Sequence, residues 1–400
     1  MLYPIELWVH GAGGCSGHPR GCQAKTPPRR AARRTGAPTA AGIARGSVLC
    51  VDSGTLARTL GHMAETSRPQ HLIRLADFTP AQIDDLLELS RRIKRKTGRA
   101  QLPGKTAGLL FFRGSLRTRA SFEAAMTQLG GSTINLSAAS DFWELESRVG
   151  SVMDGKAPEH VKDAAAVMSA YVDVLCIRPK PAGNSWAIDR KDAEIRTWAS
   201  YSSVPVINME SALWHPLQAL ADLMTLREAL NNLRGKRLAI VWTNSPTPAT
   251  GAVVNSLLHA ALSQGMDVRV AHPPGFELDA GVLDEADGLA RENGGSVETG
   301  LSLADGVRGA QVVYGRSWMS LEDYSNPTLA ATRRARHAGW MLDEKVLASG
   351  DDARLMHAMP VRRNLEISDG LLDGPRSLVY QQAENRLHSQ KALLMQLLRG

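Results

Sequence analysis

The sequence predicts an α/β protein built from two doubly wound units, each around a parallel sheet. Three observations carry that prediction. Short apolar runs alternate with longer stretches of helical spacing from Leu72 to Leu398, the pattern of strands and crossover helices. A polar link, Asn231 to Lys236, splits the alternation in two. The first strand after that link, Leu238 to Thr243, is followed by Ser245-Pro246-Thr247-Pro248 and by no G-x-G-x-x-G, so the second unit is doubly wound without being a dinucleotide site. On this reading residues 1–66 form a disordered tail, 67–230 the first unit, 236–378 the second, and 379–400 a terminal helix.

The chain has 400 residues, 43% hydrophobic and 22% charged, enough to bury two cores of ordinary size. No apolar run reaches the roughly 18 residues that a membrane helix needs. The first 62 residues are rich in Gly, Ala, Arg and Pro without sustained periodicity and hold eight basic residues against two acidic ones. Six of the seven net positive charges therefore sit in the tail, and the body offers no nucleic-acid footprint. Cys15, Cys22 and Cys50 also lie there, leaving Cys176 alone in the body; that excludes a disulfide framework and fits a reducing cytoplasm. An arginine-rich leader could be a transit peptide, but it lacks an amphipathic helix. The simpler expectation is that Met63 is the true start.

The elements follow in order. After Leu72 to Leu75, Thr79 caps a helix with Pro80 at its first position, Ile83, Leu86, Leu87, Ser90 and Ile93 mark its buried face, and Gly98 stops it. The basic run Arg91 to Lys96 matches the dipole of a helix end and carries no functional weight. Leu109 to Phe112 reads as a strand, and Ala120, Ala124, Ala125, Met126 and Leu129 as a helix face. A strand near Ser132 to Leu136, a polar loop Ala138 to Arg148, a helix Glu159 to Tyr171, a strand Val172 to Ile177, a helix Asp189 to Tyr201 and a strand Val204 to Asn208 continue the unit, and His215 opens an amphipathic helix. In the second unit, strands at Leu238 to Thr243, Val268 to Ala271 and Val312 to Tyr314 alternate with helices at Ala252 to Gln264 and Leu278 to Glu292. The last helix, Ala383 to Leu398, carries Leu387, Leu393, Leu394 and Leu397.

Chemistry enters between the first strand and its helix. Ser115 stands at the N-cap, where free backbone N–H groups and the positive end of the dipole favour an anion. Arg117, Thr118 and Arg119 fill the first turn, and two arginines opposing the dipole point to a bound negative group such as phosphate. A solvated basic turn after a capping serine explains that string equally well. What separates the two is downstream: Arg178 ends an apolar run, and His215-Pro216-Leu217-Gln218 opens a helix. Together with Ser115-Leu116-Arg117-Thr118-Arg119, in this order and spacing, they resemble the aspartate and ornithine carbamoyltransferase family, whose phosphate loop reads S-T-R-T-R and whose second signature is H-P-x-Q. The resemblance covers Leu72 to Leu398. It extends to the N-acylornithine branch through Trp143, Val152 to Gly155, Glu159-His160 and His357 to Asn364.

The resemblance implies two substrates, carbamoyl phosphate and an amino-acid acceptor, and no metal or organic cofactor. Ser115, the Leu116 backbone, Arg117, Thr118 and Arg386 would hold the phosphate; Arg178, His215 and Thr118 would face the carbonyl oxygen; Gln218 would hold the carbamoyl NH2. Ala358 and Met359 stand in the family's H-C-L-P segment, here His357-Ala358-Met359-Pro360, without the cysteine. Trp143 would reach carbamoyl phosphate in a neighbouring subunit, which implies a homotrimer with shared active sites. Glu210, Pro158, Arg316 and Arg362 fall to the acceptor. Pro158 matches the succinylornithine form, where the acetylornithine form has glutamate, and Arg316 replaces the branch's lysine, keeping the charge with a different reach. The branch also implies a trefoil knot near the Ser245 loop, and a last helix that braces the first unit. Three other readings compete: a carbamoyltransferase for another amine, a non-catalytic phosphate-binding paralogue and, resting only on the tail, a nucleic-acid binder.

Overall fold

The computed structural model of the protein describes residues 70–95 and 101–398. The expectations for the tail, for Met63 and for Gly98 lie outside the described residues. Helix α1, Pro80–Arg95, begins at a reciprocal cap in which Thr79 Oγ1 accepts from Gln82 N and Gln82 Oε1 accepts from Thr79 N. Strand β1, Thr106–Phe111, then leads into α2, Leu116–Leu129, capped by Ser115 and ended by Gly130 in the left-handed region at φ 82°. Next come β2 (Ser132–Ser137), the two-residue strands β3 (Leu145–Glu146) and β4 (Glu159–His160), α3 (Val161–Tyr171), β5 (Val174–Arg178), a single turn Trp186–Asp189, α4 (Ala193–Tyr201), β6 (Val206–Asn208) and α5 (Pro216–Leu230). The first sheet is parallel with order β2-β1-β5-β6.

The second sheet, also parallel, runs β11-β10-β7-β8-β9. Its strands are β7 (Arg237–Trp242), β8 (Asp267–Ala271), β9 (Ser296–Leu301), β10 (Val312–Arg316) and β11 (Arg354–Met356). The longer helices between and after them are α6 (Ala252–Ser263), α7 (Ala280–Asn293), α8 (Pro327–Ala335) and α9 (Val379–Leu398). In chain order α9 is last, yet it packs on α1, α2 and α5 of the first unit. One apolar core runs from Leu72 and Phe122 through Leu217 and Leu220 to Trp242 and Tyr314, so both sheets share it.

Several sequence expectations are corrected. Helix α5 is not amphipathic: every residue from Pro216 to Leu226 is buried, because α6 covers one side and α9 another, and a helix wrapped on all sides shows no polar stripe. The single helix expected at Asp189 to Tyr201 is broken by Asp192, held at φ 49° with its carboxylate accepting from Ser211 Oγ (2.6 Å) and Ala212 N (3.0 Å). Glu159-His160 pairs as strand with Leu145-Glu146, and α3 starts only after it. Helix α9 begins at Val379 rather than Ala383. Strand β9 went unread because, at the sheet's edge, most of its residues are exposed, leaving no apolar run to mark it.

Candidate functional site

In each sheet the strand order reverses once, between β1 and β5 in the first and between β7 and β10 in the second. Chain leaving the carboxyl ends of adjacent strands diverges at such points and opens a crevice. Here both open into one cavity of about 670 Å3, lined from β1 by Arg113 to Thr118, from β5 by Arg178, from β7 by Ser245 and Thr247, from β10 by Arg316, from β11 by Ala358 to Arg362, and from α9 by Arg386. Six arginines and two glutamates line it, so its excess charge suits a multiply charged anion. A second cavity of about 780 Å3, beside Lys94 and Glu228, has charges that largely satisfy each other, as in Lys94–Glu228 (3.1 Å) and Arg91–Glu88 (2.8 Å).

On the first-unit side the side chains are held in a connected set. Ser115 Oγ accepts from Thr118 N (3.3 Å) at the start of α2. Arg386 Nη2 donates to Thr118 Oγ1 (3.1 Å), its Nη1 to Gln218 Oε1 (2.9 Å) and its Nε to Gln390 Oε1 (3.1 Å). Burial, then the neighbouring Arg178, lowers the Arg386 pKa to about 10, which leaves it charged at neutral pH. Arg178 Nη2 meets Glu210 Oε2 at 2.6 Å while Nη1 donates to Met209 O (2.9 Å). Leu116 lines the cavity and is 77% exposed, and Arg119 lies over the Phe111 ring instead of lining the cavity.

Glu210 is the counter-charge at the centre. Burial favours its neutral form, but Arg178 and Arg113 outweigh that and hold its carboxyl well below the ordinary range. Its backbone sits at φ 116°, a conformation costly for a side-chain-bearing residue and kept only where the surroundings enforce it. His215 Nε2 is 3.9 Å from Glu210 Oε2; burial keeps the imidazole neutral well below its usual pKa despite that carboxylate. His215 Nδ1 and Arg178 Nε are buried with no protein partner among the described residues.

The second-unit side is looser. Arg316 is buried, reaches Met359 O only at 3.5 Å, and its Nε has no protein partner among the described residues. Arg362 Nη2 donates to Thr247 Oγ1 (2.8 Å) at an exposed position. Met359, at φ 52° before a cis Pro360, donates its N–H to His357 Nδ1 (2.9 Å). With Nδ1 accepting, neutral His357 carries its proton on Nε2 and donates to Glu366 (3.2 Å).

Every sequence-predicted site residue lines this cavity except Trp143 and Pro158. Those two lie together on the excursion between β2 and α3. The β3–β4 pairing ties its halves, and Trp143 Nε1 donates to Glu159 Oε2 (2.7 Å) with the ring 58% exposed. Sequence reasoning missed Arg113, Thr247 and Glu366. Arg113 was visible two residues before Ser115, yet only the fold shows it donating to Pro179 O (3.1 Å) and Glu210 O (2.9 Å). Among the described residues no group of three metal-ligating side chains occurs, and no helix is long and apolar enough to cross a membrane.

Residues 70–228 match the family model of the aspartate/ornithine carbamoyltransferase carbamoyl-P binding domain, and residues 234–397 that of its Asp/Orn binding domain. The chain belongs to the aspartate/ornithine carbamoyltransferase family. It is 37% identical to N-acetylornithine carbamoyltransferase of Xanthomonas campestris pv. campestris over 82% of this chain and 97% of that one. Ornithine carbamoyltransferase of a Parafrankia species is 38% identical, covering 82% and 96%. Acetylornithine transcarbamylase complexed with acetylcitrulline superposes with a TM-score of 0.80 at 37% identity, covering 82% of this chain and 98% of that one. A variant of N-acetyl-L-ornithine transcarbamylase with proline in place of a glutamate, complexed with carbamyl phosphate and N-succinyl-L-norvaline, gives 0.80 at 38%, covering 82% and 99%. The protein is thus a carbamoyltransferase, with its fold and both substrate-binding modules typical of this family.

Proposed function

We propose that the protein transfers the carbamoyl group of carbamoyl phosphate to the side-chain amine of an N-acylated ornithine, N-succinyl-L-ornithine ahead of N-acetyl-L-ornithine, giving the N-acylcitrulline and phosphate in cytoplasmic arginine biosynthesis. The observation that carries the reaction is the connected set Thr118–Arg386–Gln218 beside Arg178–Glu210–His215 at the carboxyl ends of the first sheet. In this reading the first unit takes the donor and the second the acceptor. Ser115, the Leu116 backbone, Arg117, Thr118 and Arg386 hold the phosphate. Arg178, neutral His215 and Thr118 stabilise the carbonyl oxygen as it becomes negative, each worth about 10²-fold or more in rate. Gln218 accepts from the carbamoyl NH2. The amine attacks the carbonyl carbon, a C–N bond forms, the C–O bond to phosphate breaks, and the departing phosphate takes the amine's proton, so no protein base is needed.

The succinyl preference rests on Pro158, and support comes from the relative whose glutamate, replaced by proline, alanine, serine or valine, was captured each time with N-succinyl-L-norvaline; the support is for the absence of a carboxylate there. Pro158 and Trp143 act in this reading on the cavity of a neighbouring copy in a homotrimer. Support for that is the exposure of Trp143, Val149, Val152 and Met153 on one excursion, an apolar set that a second copy would cover. The trefoil knot belongs to the same proposal, through the proline-containing loop after β7. The deciding experiment measures kcat/KM for succinylornithine and acetylornithine in the parent and in Pro158→Glu. A carboxylate placed beside the succinyl carboxylate should shift the ratio toward acetylornithine by about 10-fold or more. A parent that uses neither compound points to another amine, as Arg316 and Ala358 would then indicate, and an unchanged ratio removes Pro158 from the specificity argument.

A further inference from the structure

Beneath the cavity floor lies a buried carboxylate that no step above uses. Asp222, one turn after Gln218 on α5, is fully buried and forms no ion pair with any described residue. Its Oδ1 accepts from Gln218 Nε2 (2.8 Å) and Gln382 Nε2 (2.6 Å), and its Oδ2 from Tyr314 OH (3.1 Å). Those donors come from α5, α9 and β10. Gln382 also accepts, through Oε1, from His357 N (2.8 Å), the residue that opens the Ala358–Met359 loop. Arg386 is the nearby cation but does not touch it, and a buried charge without a contacting cation is costly, so its presence invites a role beyond packing.

We propose that Asp222 is a positioning residue that fixes which end of the Gln218 amide faces carbamoyl phosphate and, through Gln382, ties that amide to the His357–Met359 loop on the acceptor side. The chemistry is one of parity. An ionised carboxylate only accepts, so the Gln218 NH2 must turn toward it and the carbonyl oxygen must turn toward Arg386 and the cavity. A carbamoyl NH2 needs that oxygen. Burial pushes the Asp222 pKa up to about 6, so the group is still a carboxylate at pH 7.5. A neutral amide or a protonated acid there could donate as well as accept, and the orientation of the Gln218 amide would then rest on Arg386 alone.

The inference rests on Gln218 contacting the donor, and a double-mutant cycle separates the two ideas. Asp222→Asn keeps the shape and should lower kcat/KM for carbamoyl phosphate about 10-fold or more with every acceptor that is turned over. In a Gln218→Ala background the same change should cost less than about 2-fold, because a residue acting through Gln218 has nothing left to act on. Gln382→Met should be impaired in the same direction and in addition raise the acceptor KM, since it also releases His357 N; it carries the cycle if Asp222→Asn does not fold. Equal losses in both backgrounds would make Asp222 a structural residue only and overturn the proposal, as would a fully active Asp222→Asn. If Gln218→Ala itself transfers carbamoyl groups normally, the donor role of Gln218 falls and the positioning role falls with it.

Discussion

Arg178 and Arg386 on the donor side are tethered more tightly than Arg316 and Arg362 on the acceptor side, while Arg117, also on the donor side, makes no hydrogen bond or ion pair among the described residues. On the donor side Arg178 is clamped by Glu210 and Met209, and Arg386 by Thr118, Gln218 and Gln390. On the acceptor side Arg316 touches one carbonyl at 3.5 Å and Arg362 one exposed hydroxyl. Charges held in advance need no reorganisation when a negative oxygen develops, which suits a step common to every substrate. Cations with slack suit a pocket that, under the function proposed above, accepts different acyl groups.

The comparison can be broken most directly at Arg117. Burial and the nearby Arg316 lower its pKa against the opposing pull of Glu210, so it sits in a cation-rich place that a bound anion would relieve further. Arg117→Ala should therefore cost about 10³-fold in kcat/KM with every acceptor tested, read by phosphate release; a loss confined to one acceptor would mean that the donor and acceptor sides are not separate. Arg362→Ala should have the opposite profile. The acceptor KM should rise about 10-fold while the carbamoyl phosphate KM stays within a factor of two, and steady-state kinetics with each substrate varied in turn would decide it.

A third effect concerns stability. Asp222 has a folded-state pKa of about 6 against an ordinary 3.8, raised first by burial. For an acid shifted upward, the favourable contribution is complete below pH 3.8 and is lost as pH rises through 6, about 3 kcal/mol by pH 7. Glu210 runs the other way: its pKa is depressed, so its contribution is present above 4.5 and fades as the solution is acidified. Asp222→Asn should thus melt close to the parent at pH 4 and above it at pH 7.5. A gap that does not widen with pH would show that Asp222 carries no burial cost.

How much of this was legible beforehand follows the same division. Ser115, Arg117, Thr118, His215 and Gln218 stand in two short strings at helix starts, where caps and free N–H groups follow from local sequence alone, and the cavity brings them together. Strands β1, β5 and β6 of the first sheet were readable for a related reason, since a strand covered on both faces is a continuous apolar run. Arg113, Thr247, Glu366 and Asp222 were not legible, because each matters through a partner roughly a hundred residues away or through a loop with no regular pattern. Helix α5 misled for the reverse reason: Asp222 and Thr225 look like a polar face until α9 is seen to bury them.

On the proposed shared-site reading, the short β3–β4 ladder would make an ingredient of the site transferable between chains. If the excursion it braces, with Trp143 and Pro158, completes a neighbour's cavity, then a defect in the excursion and a defect in the phosphate loop belong to different sites. Two dead proteins, Trp143→Ala and Arg117→Ala, would share subunits when co-expressed, and some mixed assemblies would contain a cavity with neither fault. Such a pair should complement each other in a growing cell, whereas Arg117→Ala paired with His215→Ala should recover less, both defects lying on the same chain's side of the cavity.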